Sequence, residues 1–182
     1  MIYGFNLKIV GIVVGVLLSA THLFSLIIGP KKRNLLRCFP RSKKIGIIIL
    51  SIDLLWTLWL TATIDLGEFS KYRTPLFIFL PVAFFLVIRF VDEFLAVRAL
   101  GILALLAAEP LLEAAFLKDP LSRLLLVVLA YVWVVAGMLW VGIPYLLRDQ
   151  IDWLLRSELR WKMASAAGFA YGAAILFFAI IQ

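Results

Sequence analysis

The sequence predicts an all-α, polytopic transmembrane bundle of about six membrane-spanning helices, with an amphipathic interfacial helix before the last. Three observations carry this. Of 182 residues, 64% are hydrophobic and only 16% are charged. A soluble domain runs about 45–50% apolar and about 25% charged. The apolar residues fall in runs near the roughly 20 residues that a helix needs to cross a bilayer. The cations gather in short segments between those runs, as the positive-inside rule requires. Six spans leave no room for a separate soluble domain, so residues 1–182 read as one integral membrane domain.

The first span is expected at 9–28 and ends at Gly29-Pro30, a helix-stopping pair. A basic stretch follows directly, so the span reads as a retained helix and not as a cleaved signal. The segment 31–44 carries seven cations and no acid: Lys31, Lys32, Arg33, Arg37, Arg41, Lys43 and Lys44. These are candidates for contact with anionic lipid headgroups, although orientation alone also accounts for them. The second span is expected at 45–64. The third, at 75–90, starts with Thr74-Pro75, an N-cap followed by proline at the first helical position. A tight turn is expected in the charged cluster Arg89, Asp92, Glu93 and Arg98, although it holds no Gly or Pro. The fourth span is expected at 99–117 and the fifth at 124–147. Residues 148–162 place Ile151, Leu154, Leu155 and Leu159 on one side and charges largely on the other. That pattern predicts a helix lying at the membrane surface, with an extension of the last helix as the alternative. The sixth span is expected at 163–181.

Lys and Arg fix the expected orientation. With segment 31–44 in the cytoplasm and six crossings, 13 cations lie inside and 5 outside. A re-entrant fourth helix reduces the split to 11 against 7. With six crossings both termini face away from the cytoplasm, in a membrane of the bacterial inner type. Membrane lipids are the expected surroundings, and a second copy or other membrane subunits the expected partners. The net charge of +7 belongs to these loops, and no recognition fold accompanies it, so nucleic acid is not expected.

The single His22 and single Cys38 exclude a four-ligand zinc site and a CxxC pair within one chain. No metal or cofactor is expected. GxSxG, HExxH and the P-loop are absent, so catalysis is not expected either. Ionisable groups inside spans are functional hypotheses by default. Glu109 and Glu113 stand four residues apart on the fourth span, with Pro110 between them. Arg98 lies eleven residues earlier, close to three turns, on the same face. Asp53 shares the second span with Ser51, Thr57 and Thr61, and reads either as pore-lining or as paired to an arginine at the rim. His22 ends a small-residue face formed by Gly11, Gly15 and Ser19. Ala164, Gly168 and Gly172 form a similar face on the last span, suited to close packing within or between protomers. The aromatics Trp56, Trp59, Trp133, Trp140 and Tyr145 suit interfacial belts or a quinone or lipid groove.

Two functions follow. The first is a homo-oligomeric channel or transporter moving protons, cations or a small solute through Glu109, Glu113, Asp53, His22 and Arg98. The second is a non-catalytic subunit of a membrane complex, or a lipid-binding membrane protein.

Overall fold

A computed structural model describes residues 2–28, 34–91 and 93–181, and among them there is no strand. Seven α-helices follow one another: α1 (Leu7–Ile27), α2 (Lys43–Thr63), α3 (Arg73–Phe90), α4 (Leu95–Ala115), α5 (Arg123–Gly142), α6 (Tyr145–Leu155) and α7 (Glu158–Ile181). Short 3₁₀ segments precede α2 (Asn34–Arg41) and α3 (Gly67–Tyr72). All but α6 are long and apolar enough to cross a membrane, α3 together with its preceding 3₁₀ segment. Gly29-Pro30, Lys31, Lys32, Arg33 and Asp92 lie outside the described residues.

Local chemistry sets the helix ends. Asn6 caps α1 by accepting the Lys8 N–H at 2.9 Å. Ser42 caps α2 by accepting from the Ile45 N–H at 3.4 Å. Arg73 reaches back to the Ile64 carbonyl at 2.7 Å, satisfying an acceptor that the end of α2 leaves open. The turn between α3 and α4 has no glycine. Phe94 takes the left-handed conformation instead (φ 57°), and Val97 and Arg98 both donate to its carbonyl. The fourth helix therefore starts at Leu95, earlier than the expected residue 99, and runs through Pro110 without a break.

Two further boundaries differ from the sequence reading. The fifth helix ends at Gly142, not at residue 147. Ile143 precedes Pro144, and a residue before proline is disfavoured in helix. The single surface helix expected over 148–162 is two pieces. Its first half belongs to α6, and everything from Glu158 onward continues into α7. The break is only two residues long, Arg156 and Ser157. That is too short to disturb the apolar periodicity.

The helices pack through small residues. A Cβ on Gly11 would lie 2.7 Å from that of Ala179, and one on Gly172 would lie 2.8 Å from Leu18 and Ser19. This antiparallel register brings α1 and α7 into backbone proximity. Gly101 and Gly137 do the same between α4 and α5, each facing the other's carbonyl. Gly46 lets α2 run parallel to α4 against Leu95 and Ala96. One apolar cluster joins α1, α4, α5 and α7 through Val14, Leu111, Leu129 and Ile175, among others. A second joins α2 and α4 through Leu50 and Ala99, with Phe84 and Val87 of α3 against it. Ten residues of α4 are buried, and none of α3 is. Thus α4 is the central helix and α3 a peripheral one. The described N-terminal residues and the end of α7 share one end of the molecule. The segment 34–41, Phe94 and α6 share the other.

Candidate functional site

Acids on three levels of the helices define the candidate site. Glu113, in the last turn of α4, is half-buried and enclosed by the chain's own start. Its carboxylate accepts the Ile2 N–H at 2.9 Å, the Tyr3 N–H at 3.1 and 3.2 Å and the Gly4 N–H at 3.0 Å. Three successive N–H groups curl around one carboxylate, a backbone nest. Gly4 has φ +60°, which lets the backbone make that curl at low cost. Glu109, one turn below, accepts from the Tyr3 hydroxyl at 3.3 Å. That hydroxyl accepts in turn from the Trp56 indole N–H at 2.8 Å. Trp59 packs on the Tyr3 ring, centroids 5.3 Å apart. The N-terminal hook thus ties α2 to α4 through one tyrosine.

Tyr3 lies outside the long helices, and burial pushes its phenol above the ordinary value. The hydrogen bond from Trp56 opposes that rise, and the negative charge of Glu109 adds to it.

Asp53 is different. It lies about midway along α2 and is only 2% exposed. Neither carboxyl oxygen has a hydrogen-bond partner among the described residues. The expected arginine at the rim is not in reach. Gly46 sits beside Ala96, so Asp53 stands five residues further along its helix than Arg98 does along α4. That separates them by about 7 Å along parallel axes. Arg98 keeps a buried Nε without a partner, and it is too far from Glu109 to pair with it. The hydroxyls near Asp53 do not face it as a polar stripe. Ser51, Thr57 and Thr61 each donate to the carbonyl four residues earlier, at 2.7, 2.7 and 2.8 Å.

His22 keeps its Nδ1 on the Leu18 carbonyl at 2.8 Å, within α1, and lays its ring against Gly168 of α7. The two small-residue faces therefore meet each other inside the protomer. Gly11, Gly15 and Ser19 face Gly172 and its neighbours, and Ala164 is exposed, off the seam. Ser165 holds the place expected for Ala164, with its hydroxyl 2.6 Å from that of Ser25. Of the lipid-headgroup candidates within the described residues, Arg41, Lys43 and Lys44 are exposed, and Arg37 pairs with Asp152 at 3.1 Å. Sequence reasoning missed Gly46, Gly101 and Gly137. Their signal was present, since an isolated glycine in an apolar helix usually marks close helix contact. It also missed Tyr3, for which no motif exists. Comparison with known proteins finds no family model, no curated protein and no solved structure that matches the chain.

Proposed function

We propose that this is an integral membrane protein whose six long helices cross the bilayer as one bundle, and that it transports protons or small cations rather than catalysing a reaction. Asp53 carries this reading. An ionised carboxylate without a partner in an apolar interior costs several kcal/mol. Such a group gains a great deal from a proton or a cation, and that gain is the elementary step of carriage. Further toward the end of α2, the Trp56 indole N–H holds the Tyr3 hydroxyl beside Glu109. That hydroxyl and that carboxylate can take up and release a proton and supply the outer part of the route, with Trp56 only positioning the hydroxyl and Glu113 holding the N-terminal hook. The cavity beside Gly11, between α1, α5 and α7, measures about 10 Å³, room for no more than one water. We therefore place the route along α2 and α4 and enclose it with a second copy of the chain. The positive-inside rule orients segment 31–44 to the cytoplasm and both termini away from it, in an inner membrane of bacterial type.

Flux into proteoliposomes under an imposed proton or sodium gradient tests the proposal. Asp53→Asn should abolish flux while the protein stays monodisperse in detergent. Glu109→Gln should slow proton flux. Undiminished flux in Asp53→Asn removes the reading.

A second reading, a non-catalytic subunit of a larger membrane complex, is favoured by α3. That helix has no buried residue, and among the long helices it packs chiefly on α2. Native mass spectrometry after gentle extraction separates the two readings. A mass built only from this chain supports transport by a homo-oligomer, and a mass containing other polypeptides supports the subunit.

A further inference from the structure

At the end of the molecule opposite the hook, the geometry points to a binding site for a zwitterionic phosphate ester bearing a primary amine, the chemistry of a phosphoethanolamine headgroup. A cleft of about 420 Å³ opens there between the segment before α2, the α3–α4 turn and α6. Among the described residues its lining is Arg41, Glu93, Phe94 and Arg148. An adjoining cleft of about 200 Å³ shares Arg41 and Arg148 and adds Arg37 and Asp152. The charges are divided unevenly. Arg37 is paired with Asp152 at 3.1 Å, and Arg148 with Asp149 at 2.8 Å. Arg41 and Glu93 line the same cleft, yet neither has an ion-pair partner among the described residues. Among the described residues, one open cation and one open anion thus face a single volume without an ion pair between them.

Nearby structure holds both in place. Pro40, next to Arg41, is fully buried and fixes the chain there. The left-handed Phe94 directly follows Glu93, and the Arg148 guanidinium lies over its ring at 5.8 Å. A purely anionic ligand would leave Glu93 repelled, and a purely cationic one would leave Arg41 repelled. A phosphate joined to an ammonium by a two-carbon bridge satisfies both. Arg41, with Arg148 beside it, takes the phosphate through charge-assisted hydrogen bonds. Glu93 takes the ammonium. The source is either a phospholipid, whose chains would lie along the exposed apolar helices, or a free phosphoethanolamine-like solute. The inference is independent of transport through Asp53.

The test uses the purified full chain in nanodiscs and in detergent. Thermal stabilisation and lipid retention by native mass spectrometry are read against phosphatidylethanolamine, phosphatidylcholine and phosphatidylglycerol, and against soluble phosphoethanolamine. Phosphatidylethanolamine should be retained over the other two. Arg41→Gln should weaken its binding by about tenfold, the loss of one charge-assisted contact. Glu93→Gln should abolish the preference for the amine while leaving phosphatidylglycerol binding equal or stronger. Competition by soluble phosphoethanolamine identifies a free solute as a sufficient ligand, and retention of the lipid without such competition identifies the lipid. Wild-type protein that prefers phosphatidylglycerol, or that does not distinguish the three lipids, overturns the proposal. Both side chains are exposed or line open space, so the variants should fold. An unchanged melting temperature without lipid confirms that.

Discussion

At the scale of single residues, the arrangement sets Asp53 apart from the other acids. A buried polar group without a partner costs about 1–3 kcal/mol of stability. Asp53→Leu removes that cost, so its melting temperature in detergent should rise while flux disappears. Stability gained together with activity lost is the signature of a group retained for function. A fall in stability would show instead that Asp53 is satisfied by something in the membrane. The glycines give a sharper contrast. A Cβ on Gly168 would collide with the His22 ring, whereas one on Gly142 meets nothing within 4 Å. Gly168→Ala should cost about 1–3 kcal/mol through overpacking. His22→Ala in the same chain should restore part of the loss. Gly142→Ala should be neutral or stabilising by up to about 1 kcal/mol. Equal effects at the two positions would contradict the α1–α7 contact.

At the scale of elements, the long apolar runs were plain in the sequence because a membrane helix must satisfy its backbone internally over a fixed length. Breaks without glycine were only partly plain. The charged cluster marks the turn between α3 and α4, but no local pattern announces that Phe94 makes it through a left-handed conformation. The two-residue break at Arg156 and Ser157 passes unnoticed because helical periodicity survives it. The acids at 109 and 113 were legible as a pair on one face. What they hold was not, since Ile2 to Gly4 donate from the backbone and backbone donors have no sequence signature. The hook makes its own prediction. The Tyr3 phenol is raised in the folded state, chiefly by burial. Folding therefore favours the neutral phenol, and its contribution is complete below the unfolded value near 10. It is lost as pH rises through the higher folded value. The melting-temperature advantage of wild type over Tyr3→Phe should hold steady from neutral pH to about pH 9 and shrink above about pH 10. An advantage that persists undiminished into strong alkali would mean that the phenol does not titrate in the clasp.

At the scale of the whole molecule, packing and charge agree on one arrangement. Both described ends of the chain lie at the Glu113 end, and segment 34–41 lies at the other. An even number of crossings would put the termini on one side, and six helices are long and apolar enough to cross. In the topology proposed above, charge selects which side, because Lys and Arg concentrate in the loops away from the hook. The chain carries its own reporter of this choice. Cys38 is the single cysteine, and it is exposed within the basic segment. In intact cells or right-side-out vesicles, a membrane-impermeant maleimide should leave Cys38 unlabelled, and inside-out vesicles should label it fully. A cysteine placed at exposed Lys118 in a Cys38→Ser background should show the reverse pattern. Labelling of both positions from one side would place them on the same face and remove the six-crossing arrangement. Labelling of Cys38 from outside, with position 118 protected, would keep six crossings but invert the protein. The phosphoethanolamine cleft would then face away from the cytoplasm, and any ligand for it would have to be supplied from that side.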